Sequence, residues 1–357
     1  MPRIRDLGCH MITSRYTPAE LMRNAQRLDT LGYDHLKVGD HTLSTSPASP
    51  YPNSQVVLAM IGAHTKRAKL STAVTDPLRR HPAEIAHWVA TLDQFTSGRA
   101  ALGIGAGEEM NLTPFGIQCD KPWTRLKEAL EVIKKLWEAT PTRRADYTGE
   151  FFSLSGAYLQ TLPYQKPRPK IYIGAIGKRT RELAGEQADG WLPMATETPE
   201  SLKEKFQAIR AGASKAGRDI SGFDVQAQVY TDVSEDADRA YGSVEATAKG
   251  GLIFERSILK QKTGLDVPED LSVQKIDVTS KAAMDRITEF AAMIPRKVVE
   301  EVTVTGSPDQ CISKIEKLVQ AGATSVIICN LSPDQDRVFE VYGKEIFPYL
   351  RERYGVE

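Results

Sequence analysis

The sequence predicts a (β/α)8 barrel, on three observations. Eight short β-rich runs alternate with helical patterns along the chain, which is the sequence form of βα units around a parallel sheet. The helical patterns open on explicit capping signals. The 357 residues exceed most single domains, yet they fit one barrel with insertions, because such barrels run to about 250 residues or more.

The eight runs are Leu7 to Ile12, His35 to Val38, Lys69 to Val74, Arg99 to Gly103, Lys170 to Ile173, Gly190 to Pro193, Asp224 to Thr231 and Ser325 to Cys329. Thr17-Pro18-Ala19-Glu20 puts a capping hydroxyl before a proline at the first helical position and a glutamate at the third. Ser307-Pro308-Asp309-Gln310 and Ser332-Pro333-Asp334-Gln335 repeat the device, and the first helix closes at Gly32. Two insertions break the rhythm of a single domain spanning 1–357. A hairpin falls at about 147–162 with Gly149 at its turn, and a longer helical stretch at about 234–307 contains Arg256, Lys260 and Lys262. Insertions in barrels extend the face where the loops after the strands gather. The second is therefore expected to shape the substrate pocket, with Arg256 among its substrate contacts.

A composition of 41% hydrophobic and 26% charged residues excludes disorder as the main state. The formal net charge of +0 supplies no global field for nucleic acid or an anionic membrane. Cys9, Cys119, Cys311 and Cys329 show no C-x-x-C spacing, so they read as reduced thiols with no metal to hold. The N-terminus lacks the 7 to 15 residue apolar core of a signal peptide, and no apolar run approaches about 18 residues. The expectation is a cytoplasmic protein acting on a small molecule.

Chemistry in a barrel sits at the C-terminal ends of strands. Asp40-His41 follows the second run, where a carboxylate beside an imidazole can fix its tautomer for proton transfer; a solvated loop histidine is the plain alternative. The fourth run ends in Leu102-Gly-Ile-Gly-Ala-Gly107-Glu108-Glu-Met-Asn111, whose glycines admit a ligand and deliver Glu108 at the rim, as an acid or base or simply as a helix-start carboxylate. Its spacing is not the G-x-G-x-x-G of a dinucleotide fold. Gly174-Ala175-Ile176-Gly177-Lys178 follows the fifth run into a helix, where free N–H groups can bind phosphate. A simple strand-to-helix turn is the alternative there. His10, inside the first run, reads either as a core histidine or as a residue of the barrel mouth.

Together Asp40-His41, the third-run end, Gly103 to Glu108 with Asn111, the segment Tyr147 to Phe152, and Ile173 to Gly177 with Ala184-Gly-Glu-Gln-Ala-Asp-Gly190 resemble the coenzyme F420-dependent branch of the bacterial-luciferase-like superfamily. Five loops agree in order and spacing. Ala90 to Gly105, Val74 to Pro82 and Phe115 to Pro122 look most like methylenetetrahydromethanopterin reductase, whereas Gly105-Ala-Gly-Glu-Glu-Met-Asn111 is closer to the F420-dependent alcohol and glucose-6-phosphate dehydrogenases. Those dehydrogenases carry a tryptophan soon after their Asp-His pair, where this chain reads His41-Thr-Leu-Ser-Thr-Ser; the reductase has glutamate at the position of His10 and aspartate at that of Glu108.

The resemblance implies a luciferase-like barrel with coenzyme F420 in its mouth, its phosphate on Gly174 to Lys178, and a non-proline cis peptide at Ala73–Val74 pressing on the ring. Asp40, His41, Thr72, Ala73, Val74, Gly107 and Asn111 would line the deazaflavin. Glu108 would donate or relay a proton, His41 would meet substrate or ring, Asp40 would orient His41, and His10 would touch substrate. The implied protein is a homo-oligomeric hydride-transfer enzyme reducing methylenetetrahydromethanopterin, a pterin one-carbon carrier. An alcohol or other carbonyl substrate is the alternative, followed by an FMN-dependent monooxygenase or a noncatalytic flavin-binding barrel on the same fold.

Overall fold

The computed structural model describes residues 3–45, 49–273 and 275–355. Met1 and Pro2 of the N-terminal segment, Ser46 at the end of the loop lacking the tryptophan, and Gln274 of the long insertion lie outside them.

Eleven strands are formed among the described residues: β1 (Asp6–Met11), β2 (His35–Val38), β3 (Lys69–Thr72), β4 (Ala100–Ile104), β5 (Ala145–Thr148), β6 (Ser153–Ala157), β7 (Ile171–Gly174), β8 (Gly190–Leu192), β9 (Asp224–Val233), β10 (Val304–Gly306) and β11 (Ser325–Asn330). The order β9-β11-β1-β2-β3-β4-β7-β8 is parallel throughout, and pairing of Gly190 and Trp191 on β8 with Asp224 and Val225 on β9 closes the ring. These eight strands are the eight runs expected from the sequence, shifted by a residue or two at their ends. A (β/α)8 barrel results.

β10 was not expected. Its three residues pair with Thr231 to Val233 at the end of β9, and so short a run inside a helical stretch carries no period of its own. The helix expected to open at Ser332 begins later, at Gln335. Ser332 and Asp334 bond locally first, Ser332 N–H to Asn330 Oδ1 at 3.1 Å and Asp334 N–H to Ser332 Oγ at 3.1 Å, and Asp334 becomes the cap. The capping boxes at Thr17 and Ser307 form as their sequences prescribe.

Alternation along the strands separates two environments. Leu7, Cys9 and Met11 pack outward against the helices. The inner side is unusually polar: Asp6 pairs with Lys69 at 2.7 Å, His35 Nε2 meets Ser71 Oγ at 2.8 Å, and Lys37 bonds Gln226 beneath the Tyr172 ring. Burial pushes the Lys37 ammonium down to about 7, the expected sign for a desolvated amine.

The hairpin β5–β6 is fixed by Glu128, whose buried carboxylate accepts the N–H groups of Glu150, Phe151 and Phe152 at 2.8, 2.9 and 3.1 Å. The stretch after β9 folds as helices Ala237–Phe254, Arg256–Thr263, Lys281–Ala292 and Arg296–Val302. Their apolar faces share a cluster with Leu331 and pack against Ile12 and Tyr230 at the barrel mouth. Lys205, 2.7 Å from Glu197 and 2.9 Å from Glu255, ties this stretch to the helix Pro199–Lys215.

Candidate active site

A cavity of about 400 Å3 opens at the C-terminal ends of the barrel strands. Its wall includes His10, His41, Ala73, Val74, Gly107, Glu108, Asn111, Gly174, Ala175, Ile176 and Gly177, so most residues singled out from the sequence meet in one place.

The peptide Ala73–Val74 is cis, and Val74 stands between two glycines. A Cβ on Gly105 would come within 2.8 Å of a Val74 methyl, and one on Gly174 within 3.2 Å. Only glycine admits the valine side chain into that gap. Gly107, at φ +88°, turns the chain so that Glu108 and Asn111 face back into the cavity.

Asn111 organises the polar side. Its Oδ1 accepts the N–H groups of Thr42 and Leu43 at 2.7 and 3.0 Å, which fixes the amide so that Nδ2 meets His41 Nδ1 at 2.9 Å. An amide nitrogen can only donate, so His41 Nδ1 is bare and the imidazole proton sits on Nε2. Glu108 Oε2 lies 3.6 Å from the same Nδ1 and 3.5 Å from Asn111 Nδ2. Glu108 and His41 are partly exposed, 37% and 26% by side chain, and both are open to a ligand.

Three expectations need correction. Asp40 does not orient His41: its carboxylate accepts from Arg80 at 2.6 and 3.2 Å, Arg79 at 3.1 Å and Ser54 at 2.8 Å. Burial alone would raise this carboxyl, but Arg79 and Arg80 outweigh it and hold the group below the ordinary carboxylate range. Asn111 takes the orienting place instead. Thr72 does not line the cavity, because its hydroxyl donates to Gly103 O at 2.6 Å and accepts from Gly103 N at 3.2 Å, stitching β3 to β4. The Lys178 side chain is 76% exposed at the start of its helix, with Glu182 at 3.8 Å. Arg256 pairs with Glu269 at 2.6 Å and the Val267 carbonyl at 2.7 Å, away from the cavity wall.

The loop after β7 keeps its expected form. The helix Lys178–Gln187 starts at Gly177 with no side-chain cap, and no heavy atom lies within 4 Å of where a Gly177 Cβ would be. No side chain takes up its first N–H groups, which leaves them able to bind an anion. Trp191 Nε1 donates to Ala175 O at 3.0 Å and holds the loop in place.

Sequence reading missed Tyr51 and Gln228, both in the wall. Tyr51 returns from the far end of the loop after β2 and packs on His41, ring centroids 5.1 Å apart. It also missed the pairing of Asp76 with Arg79 at 2.6 Å.

The model of the luciferase-like monooxygenase family matches residues 6–325. The chain belongs to that family. Among curated relatives, the 5,10-methylenetetrahydromethanopterin reductase of Archaeoglobus fulgidus is 30% identical over 90% of this chain and 92% of its own. The F420-dependent glucose-6-phosphate dehydrogenase of Microbacterium testaceum is 29% identical, with 98% of each chain covered. Among solved structures, an F420-dependent secondary alcohol dehydrogenase in complex with an F420-acetone adduct superposes with a TM-score of 0.83 at 24% identity, over 98% of this chain and 99% of that one, which fixes the fold.

Proposed function

We propose that this luciferase-like family member transfers hydride between coenzyme F420 and an uncharged carbon centre, and that its substrate is 5,10-methylenetetrahydromethanopterin, reduced to the methyl form. That the protein is an F420-dependent oxidoreductase follows from its kinship. One observation carries the finer step. Among the described residues lining the cavity, the only side chain cationic at every working pH is Arg79, and it is fully engaged by Asp40 and Asp76. The wall thus gives the phosphate of a phosphorylated sugar no free cation to pair with. Ile12, Met110, Phe254 and Val273 give the wall an apolar, broad character suited to a flat pterin.

The residues present fit the cofactor. Val74, flanked by glycines in the cavity wall, would meet a planar ring, and the uncapped helix N-terminus at Gly177 would hold a phosphate. When bound, the deazaflavin supplies a hydride carrier whose reacting ring atom is carbon. Glu108 and His41 hold a proton at Oε2 or Nε2 beside the reacting atoms, Asn111 fixes the imidazole, and Tyr51 with the helical insertion excludes water. No helix among the described residues is long and apolar enough to cross a membrane, in keeping with a cytoplasmic enzyme. Val56 and Met60, exposed one turn apart on the helix Ser54–His64, give a homo-oligomer an apolar surface on which to pack.

A ketone or secondary alcohol is the second reading, favoured by the Glu108–His41 pair, since a carbonyl oxygen needs a proton as hydride arrives. The test follows F420 absorbance, with methylenetetrahydromethanopterin or acetone offered to reduced F420 and glucose 6-phosphate offered to oxidised F420 in parallel. Oxidation by the pterin is expected. No oxidation there, with reduction of oxidised F420 by secondary alcohols, would move the enzyme to the second reading.

A further inference from the structure

His10 is held in one tautomer by a relay that starts on the backbone. Gln228 Nε2 donates to the Pro193 carbonyl at 3.1 Å, which fixes the amide, so Gln228 Oε1 is the atom that meets His10 Nδ1 at 2.9 Å. A carbonyl-type oxygen only accepts, so the imidazole proton sits on Nδ1 and Nε2 is bare. Among the described residues no donor reaches Nε2, and His10 lines the cavity. Burial, with the nearby Lys37 and against the Gln228 hydrogen bond, holds the imidazole down to about 4. It is therefore uncharged at neutral pH.

The arrangement mirrors His41. Asn111 leaves His41 with its proton on Nε2, and Gln228 leaves His10 with Nε2 empty. The cavity thus carries one imidazole donor and one imidazole acceptor. Between them stands Tyr51, whose hydroxyl approaches to 2.3 Å the point where a Gly39 Cβ would lie, with His10 Nε2 3.4 Å from that same point. Tyr51 occupies the corner that Gly39 leaves without a side chain, and His10 Nε2 borders it.

We propose that His10 is a substrate-selecting residue, its bare Nε2 accepting a hydrogen bond from a hydroxyl or N–H of the substrate. A carboxylate or phosphate in that place meets a lone pair with no proton to share, and it loses its hydration without replacement. The substrate class is then one that presents a hydroxyl or ring N–H, and no anionic group, to this side of the cavity, as the ring N–H groups of a tetrahydropterin can. This deepens the proposed function and rests on it for the identity of the site.

The test uses the full chain with ring-15N-labelled histidine, loaded with oxidised F420, and two probes of the same carbon skeleton: hydroxyacetone, with a donor hydroxyl, and pyruvate, with a carboxylate. The His10 signal, assigned by its loss in His10→Phe, is expected to report a proton on Nδ1 and none on Nε2. Hydroxyacetone is expected to move the Nε2 signal saturably and to bind about tenfold or more tightly than pyruvate, the scale of one hydrogen bond with a buried partner. In Gln228→Leu, which keeps the imidazole and removes its tether, the proton is expected to redistribute to Nε2 and the preference to collapse. Retained F420 binding in both variants is the control for folding. A proton on Nε2 in the wild type, equal affinity for the two probes, no response to either, or an undiminished preference in the variants would overturn the inference. The tautomer and the probe preference can be read without cofactor as well, so loss of F420 binding alone would strike the proposed function and leave His10 standing.

Discussion

Replacing Glu108 with glutamine is expected to lower turnover by about 10²-fold or more, the usual scale of acid–base assistance, while F420 affinity hardly moves. The glutamine keeps the shape of the side chain and its reach toward Asn111 Nδ2 and His41 Nδ1, at 3.5 and 3.6 Å in the parent. What it removes is the exchangeable carboxyl proton. Glu108 bonds no backbone N–H of the short helix Glu109–Asn111 that it precedes, so the structure gives it no capping task whose loss would confuse the result. Steady-state rates with saturating reduced F420 check this. Near-normal turnover would make Glu108 a bystander at the start of that helix, and His41 alone would have to manage the proton.

Gly177→Val is expected to weaken F420 binding by about tenfold or more, or roughly 1.4 kcal/mol per factor of ten, with little change in turnover once cofactor saturates. Gly177 sits at φ −78° and ψ 149°, an extended conformation that valine adopts readily, and nothing of the protein lies within 4 Å of its Cβ position. The fold has no reason to object. The methyl groups instead occupy the space in front of the uncapped N–H groups, where a phosphate would be held. Fluorescence titration of the cofactor reads the effect, and unchanged thermal unfolding of the free protein shows that it is local. Equal affinity in parent and variant would remove the phosphate cradle from the loop.

The barrel was legible because its strands are short apolar runs spaced by capped helices, and both signals are local. β10 was illegible for the same reason, since three residues exist as a strand only by leaning on the end of β9. At the site, sequence adjacency misled in the case of Asp40 and His41. Neighbouring residues at a strand end point opposite ways, and Asp40 turns to the arginines Arg79 and Arg80, far ahead in the chain, while His41 turns to Asn111. Thr72 was placed beside the deazaflavin by the family resemblance, and its hydroxyl bonds across to β4. Tyr51 and Gln228 arrive from elements that no motif connects to His41 or His10. A signal for Gln228 was present: Asp224, Gln226 and Gln228 alternate along one strand, and a polar residue at every second position marks a polar barrel interior.

The most direct test of cofactor identity is titration calorimetry of the purified chain with F420 and with FMN under the same conditions. F420 dependence predicts a dissociation constant of about micromolar or tighter for F420 and much weaker binding of FMN. Tighter binding of FMN than of F420 would contradict it and make the protein a flavin enzyme of the same family.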